Sequence, residues 1–212
     1  RAAERWGRVA TAIGLPTAPI APNPLSAAAL ALGRATRWLL MHHVGHRGYD
    51  KVPAVPPRFT ARVFARGWRR LVDWIDWMIP EAWIYEHNIL HHQHTGEKLD
   101  PDLIEQNVEA IHRAWVPIPL RYGLLAVLAA TWRASYYAPG TLRAWAHRHL
   151  PNDAERTLPI GLLLRRCYAP YALVSFVALP LLFAPLGAWA VFSAWCNSVM
   201  ADVFTNLHTF FV

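Results

Sequence analysis

An uncharged stretch runs from Cys167 to Ala201 and constrains the fold more than any other feature of the sequence. A helix needs about 20 apolar residues to cross a bilayer, so the stretch is too long for one span and just long enough for two. Pro185 and Gly187 lie near its middle and favour a turn there. The stretch therefore predicts a helical hairpin, with arms at 167–184 and 187–206 and with both ends on the same side of a membrane.

The composition agrees with an all-α, integral membrane helical domain. Hydrophobic residues make up 54% of the 212 residues and charged residues 17%, which is more apolar than an ordinary soluble domain. The net charge of +7 comes from arginines that flank apolar stretches, as at the cytoplasmic margin of a membrane protein, and we expect no nucleic-acid partner. Residues 1–24 contain four prolines and predict a poorly ordered lead-in, followed by a single domain over 25–212.

Two further segments predict contacts with the membrane surface. Between residues 58 and 80 the apolar side chains recur with a helical period and arginines occupy the other side, which predicts an interfacial amphipathic helix. The apolar members of this pattern are Phe64, Trp68, Leu71, Ile75 and Met78. The alternative is an amphipathic helix packed on a soluble core. Residues 116–132 are interrupted by prolines and predict an interfacial or re-entrant segment, and 134–160 predict a solvated loop.

Histidines occur in two clusters, "HHVGHRGYD" at 42–50 and "EHNILHHQH" at 86–94. On a helix His42 and His46 share a face, as do His87 and His91, whereas His92 is rotated by about 100° from His91. Imidazole binds iron, copper, nickel and zinc, and a carboxylate often fixes its tautomer. The carboxylates available for that purpose are Glu86, Glu97, Asp50, Asp100 and Asp102. The clusters predict a metal site, and their number favours two metal ions over a single catalytic zinc.

Isolated histidines are weaker candidates. His112, His147 and His149 lie alone in polar or basic stretches, and we expect them to bind no metal. His208 follows the predicted hairpin, which would return it to the side of the two clusters. Five arginines between the clusters predict that this side is the cytoplasm, because positive residues near spans are retained there. These arginines are Arg58, Arg62, Arg66, Arg69 and Arg70.

The segments "HHVGHRGYD", "EHNILHHQHTGE" and "TNLHTFF" resemble the histidine boxes of the membrane-bound fatty acid desaturase and hydroxylase superfamily. The resemblance implies a non-haem centre of two iron ions, which uses O₂ and electrons from a ferredoxin or cytochrome b5-type donor to oxidise a fatty acyl lipid in the bilayer. By position it implies metal ligation by His42, His46, His87, His91 and His92, and by His208 beside Asn206. The superfamily's third box, HxxHH, does not occur after residue 94, so we expect a chain truncated before that box.

The leading functional hypothesis is a membrane-bound fatty acid desaturase. The same boxes serve hydroxylases of acyl chains, alkanes or carotenoids, which add oxygen where a desaturase leaves a double bond. From a different class, a histidine-rich metal transporter would place its ligands near the bilayer midplane. A haem protein would use only one or two of these histidines.

Overall fold

The computed structural model describes residues 2–103, 115–149 and 160–211, and these residues form helices and turns without a β-strand. They group into two compact units, Arg1–Asp76 with Tyr168–Val212, and Trp77–Cys167. The sequence predicted a single domain over 25–212. The α-helices are α1 (Ala2–Thr17), α2 (Pro24–Gly45), α3 (Arg70–Asp73), α4 (Pro80–Tyr85), α5 (His92–His94), α6 (Ile118–Trp132), α7 (Ala138–His149), α8 (Ile160–Leu162), α9 (Ala169–Ala172), α10 (Leu179–Leu181) and α11 (Ala188–Phe211).

Shorter helical turns join several of these helices. Wide π-helical turns cover Glu86–His91, Arg133–Tyr137, Leu163–Tyr168 and Leu173–Ala178. Tight 3₁₀ turns cover Tyr49–Lys51, Pro57–Phe59, Gly67–Arg69 and Ala184–Leu186.

The predicted disorder of residues 1–24 differs from the structure, in which α1 is a helix packed along α2. Glycines make this close packing possible, because a Cβ atom on Gly14 would lie 2.9 Å from the Leu30 backbone nitrogen. Pro16 lies at the end of α1, Pro19 and Pro22 lie in the turn after it, and Pro24 is the first residue of α2, where proline is tolerated. Asn23 ends that turn and caps α2, accepting a hydrogen bond from the Ser26 N–H at 2.8 Å.

Helix α11 packs against α2 in the same unit through small and polar residues. Ala194 and Ala201 lie in one buried cluster with residues of α2. The buried side chains of Ser193 and Asn197 both donate hydrogen bonds to the carbonyl of Ala18, at 2.7 and 2.9 Å. These bonds tie the α1–α2 turn to the first half of α11.

The predicted amphipathic helix over 58–80 is wrong, because this segment consists of short turns and the four-residue helix α3. Ala65 and Gly67 have φ angles of +56° and +54°, which a right-handed helix does not allow. The Asp73 carboxylate holds this bend by accepting hydrogen bonds from the Ala65 N–H at 3.1 Å and the Arg69 Nε at 2.8 Å. The predicted apolar face is divided accordingly, since Phe64 is buried and Trp68 is exposed.

In the second unit the predicted interfacial or re-entrant segment 116–132 is mostly the regular helix α6, which begins at Ile118. Pro117 precedes its first turn, where a missing N–H costs little. The expectation of a solvated loop over 134–160 is wrong for its first half, because a π-turn carries the chain directly into α7. The buried residues Ala138, Leu142 and Ala146 lie along one face of α7, and α7 packs against α4.

The predicted hairpin bends where expected, at Gly187, whose φ of +98° favours glycine. One helix among the described residues, Ile160–Leu186, is long and apolar enough to cross a membrane. The sequence predicted two such spans. Helix α11, the second arm, buries Asn197, Asp202 and Asn206, which lowers its apolar character.

Candidate metal centre

The π-turn over Glu86–His91 carries the second histidine cluster. Each of the other three π-turns in the described residues is followed two positions later by a proline in the same helix, at Pro139, Pro170 and Pro180. Proline lacks an N–H and its ring collides with the preceding turn, which accounts for the widening there. No proline follows in the helix that contains Glu86–His91, which continues to His94. Such π-turns are rare in proteins overall but are enriched at functional sites, so this one marks a candidate site.

The wide turn gathers three imidazole rings. The ring centroid of His87 lies 5.1 Å from that of His91 and 4.9 Å from that of His92, and the last two are 5.3 Å apart. A π-turn bonds residues five apart, so positions four and five after His87 both lie beside it. The indole of Trp83 stacks on His87 from the preceding turn, at 4.5 Å. The π-turn therefore brings the three histidines of the HxxxHH motif into one compact group.

Asp102, on the segment after this helix, completes a group of possible metal ligands. One ligand atom from each of His87, His91 and Asp102 lies within 4.8 Å of the others. The Asp102 Oδ2 lies 3.9 Å from His87 Nδ1 and 3.7 Å from His91 Nδ1. The sequence placed Asp102 only among the carboxylates that support a histidine, whereas the structure makes it a possible ligand.

Asp100 is the carboxylate that holds His91. Its Oδ1 lies 2.9 Å from His91 Nδ1 and also accepts the Asp102 N–H at 2.9 Å, while its Oδ2 accepts the Gly96 N–H at 2.9 Å. Burial by itself would raise the pKa of Asp100, but the hydrogen bonds from Gly96, His91 and Asp102 lower it overall. The ionised carboxylate therefore fixes both the loop and the ring of His91.

Glu86 and Tyr137 form the buried side of the site. Burial, reinforced by the charge of Asp102, raises the pKa of Glu86 to about 9, which favours its protonated form at neutral pH. The Tyr137 hydroxyl lies 3.4 Å from Asp102 Oδ2, and burial, together with Glu86 and Asp102, raises its pKa well above the ordinary value. Tyr136 donates a hydrogen bond to the Pro101 carbonyl at 2.9 Å. Both tyrosines were missed in the sequence because no spacing links them to residues 35 positions earlier.

The first histidine cluster lies in the other unit, at the end of α2. The rings of His42 and His46 are 4.6 Å apart, one helical turn from each other, and both side chains are half-buried. His43 points outward and is exposed. The spacing thus forms a histidine pair within this unit, as the sequence predicted.

The remaining histidines and carboxylates have other surroundings. His208 is exposed near the end of α11 and belongs to no group of possible metal ligands among the described residues. His94 contacts the exposed Glu97 at 3.2 Å, and Asp50 accepts the Ala61 N–H at 2.9 Å. His147 is exposed on α7, and His112 lies outside the described residues.

The donor set of the second cluster fits a transition metal. Two imidazoles and one carboxylate are the ligands that non-haem Fe(II) sites use, and zinc accepts the same types. The hydrogen bond between His91 Nδ1 and the Asp100 carboxylate places a proton on Nδ1 and leaves Nε2 as the basic nitrogen. The cluster therefore provides at least one oriented imidazole and a negative charge for a metal cation.

Comparison with known proteins identifies a family. The model of the fatty acid desaturase family matches residues 19–211, nearly the whole chain. No curated protein and no solved structure matches the chain.

Proposed function

Because the chain belongs to the fatty acid desaturase family, we propose that it is a membrane-bound desaturase that introduces a double bond into a fatty acyl chain. The proposed metal ligands are His42, His46, His87, His91, His92 and His208, with Asp102 as an additional candidate. Iron bound by these residues supplies, with O₂, the oxidising power to break unactivated C–H bonds. The electrons come from a ferredoxin or cytochrome b5-type donor.

The observation that carries the proposal is the group formed by His87, His91 and Asp102, whose ligand atoms lie within 4.8 Å of one another. Asp100 orients His91 and keeps its proton on Nδ1, at 2.9 Å from the carboxylate. Tyr137 and Glu86 are buried on one side of Asp102, whose own side chain is 25% exposed. A site of this kind holds metal in a fixed geometry without haem.

The overall reaction fixes how many electrons and protons the electron donor and the solvent must supply. Two hydrogens leave adjacent carbons of the chain, and O₂ is reduced to two molecules of water. The donor supplies two electrons and the solvent two protons. A long acyl chain reaches the protein through the bilayer, and the mostly exposed, apolar helix Ile160–Leu186 is suited to contact with lipid.

We further propose that both histidine clusters face the cytoplasm, where reduced electron donors are found. The arginines between the clusters motivate this orientation. Single cysteines replacing Asp50 and Leu186, in a background without Cys167 and Cys196, test it with a membrane-impermeant thiol reagent on intact cells. We expect labelling at position 186 only, and labelling at position 50 would exclude the orientation.

The experiment for the reaction is product analysis by mass spectrometry. The full-length protein and its His91→Ala and His147→Ala variants are expressed in cells supplied with an isotopically labelled saturated fatty acid. We expect a labelled product that has lost two hydrogens, absent from His91→Ala and retained in His147→Ala. A product that has gained oxygen would identify a hydroxylase. Loss of the product in both variants, or in neither, would contradict the assigned site.

A further inference from the structure

A cavity lies in the first unit, between the start of α1, the middle of α2 and the bend before α3. Its volume is about 240 Å³, and its charged lining consists of four arginines and two carboxylates. The arginines are Arg8, Arg37, Arg58 and Arg69, and the carboxylates are Glu4 and Asp73. The lining therefore has two more positive than negative charges.

Both carboxylates already form ion pairs with arginines of the cavity. Glu4 Oε1 pairs with Arg8 at 2.6 Å and with Arg58 at 3.3 Å. Asp73 receives two hydrogen bonds from Arg69, at 2.8 and 2.9 Å. The excess positive charge therefore belongs to Arg37 and to a loosely paired Arg58.

Arg37 has only backbone partners among the described residues. Its Nη1 donates to the carbonyls of Val72 and Asp73, and none of the ion pairs in the described part of the chain includes it. Burial and the neighbouring Arg8 lower the pKa of Arg37, against the opposite effect of Asp73, although a guanidinium stays charged near neutral pH. A partly buried cation of this kind favours an anionic ligand, and guanidinium groups bind phosphate through paired hydrogen bonds.

The surface around the cavity indicates where such an anion comes from. Two tryptophans flank it in the sequence, Trp6 beside Gly7 and Trp68 beside Arg69, and they are 68% and 70% exposed. From this end an exposed apolar stripe follows α1 through Val9 and Ile13. A second stripe runs along α2 through Leu39, Leu32 and Leu25. Exposed tryptophan next to arginine, followed by apolar surface, is typical of the level of lipid headgroups.

We propose that this arginine cavity binds the phosphate group of an anionic membrane lipid whose acyl chains lie along the exposed stripes of α1 and α2. Phosphate supplies the negative charge that the lining lacks, and the stripes supply the apolar surface that a free phosphate ion does not need. The inference does not depend on the metal centre or on the reaction, because it uses other residues of the chain.

The test measures binding to the full-length protein purified in a neutral detergent. Thermal unfolding is followed while phosphatidic acid, diacylglycerol with the same acyl chains, or inorganic phosphate is added. We expect a rise in the unfolding temperature with phosphatidic acid alone. An equal rise with diacylglycerol would show that the phosphate is not recognised. An equal rise with inorganic phosphate at the same concentration would show that no lipid is required, and either result would overturn the proposal.

Variants locate the site. Arg58→Gln removes a cavity charge whose side-chain partners among the described residues are Glu4 and the ring of Phe59, so the fold should persist. Arg62→Gln is the matched control, since Arg62 is exposed on the same segment and does not line the cavity. We expect Arg58→Gln to weaken phosphatidic acid binding about tenfold, and Arg62→Gln to leave it unchanged. Arg37→Lys keeps the charge but loses the paired geometry, and we expect weaker binding there as well. Equal binding by Arg58→Gln and Arg62→Gln would exclude this cavity.

Discussion

The most specific consequence of the site geometry concerns Asp100. Its carboxylate accepts three hydrogen bonds. Oδ1 accepts those of the His91 ring and the Asp102 N–H, and Oδ2 accepts that of the Gly96 N–H. Asp100→Asn replaces one oxygen by an amide NH₂, which cannot accept a hydrogen bond. If the amide oxygen stays with His91 and Asp102, the NH₂ group meets the Gly96 N–H, and two donors face each other.

The expected size of the effect follows from the lost hydrogen bond and from the role of His91. Loss of a buried hydrogen bond to a charged group costs about 1.5–3 kcal/mol of unfolding free energy. Loss of the carboxylate that orients a metal-binding histidine weakens metal binding by roughly 10–100-fold, or about 1.4–2.7 kcal/mol. Chelator competition measures the affinity for metal, and thermal unfolding after chelation measures the stability separately.

Glu97→Gln is the control for Asp100→Asn, because it makes the same chemical change three residues earlier in the same non-helical segment. The Glu97 side chain is 67% exposed, and its partner among the described residues is His94, at 3.2 Å. We expect it to change neither affinity nor stability measurably. Equal losses of metal affinity in the two variants, or an unchanged affinity in Asp100→Asn, would refute the positioning role of Asp100.

Two further predictions concern the fold. Gly14→Ala should destabilise the chain by about 1–3 kcal/mol, because the new methyl group meets the Leu30 backbone and overpacks α1 against α2. Gly123→Ala is the control, since a methyl group there meets open space, and it should be neutral or slightly stabilising. Thermal unfolding measures both changes. Tyr171→Phe removes a buried hydrogen bond of 2.5 Å to Asp202 and should lower the unfolding free energy by about 1.5–3 kcal/mol in denaturant titrations, whereas an unchanged midpoint would contradict the importance of that bond.

The sequence predicted those features that depend on local pattern. The helical fold and the membership of the desaturase superfamily are both confirmed. The turn at Gly187 lies where Pro185 and Gly187 interrupt an apolar run. The shared helical face of His87 and His91 was expected from their spacing, the π-turn adds the ring of His92, and the role of all three as metal ligands stays a prediction.

Features that depend on tertiary contacts could not be predicted in the same way. The periodic apolar pattern at 58–80 favoured a helix, but Ala65 adopts a positive φ that the Asp73 carboxylate holds from eight residues away. The four prolines of residues 1–24 suggested disorder, yet Gly7 and Gly14 allow helix α1 to pack closely on α2. Tyr137 reaches Asp102 only because α7 packs against α4. None of these contacts leaves a periodic signal.

The central claim is that the second histidine cluster holds iron, and metal analysis of the purified full-length protein tests it most directly. Iron per chain is measured by inductively coupled plasma mass spectrometry for the wild type, His91→Ala and His147→Ala. We predict iron in the wild type and an equal amount in His147→Ala, because this exposed histidine belongs to no group of possible metal ligands among the described residues. His91→Ala should lose most of it. A wild-type protein without iron after expression in iron-replete medium, or a His91→Ala variant with the full amount, would contradict the claim.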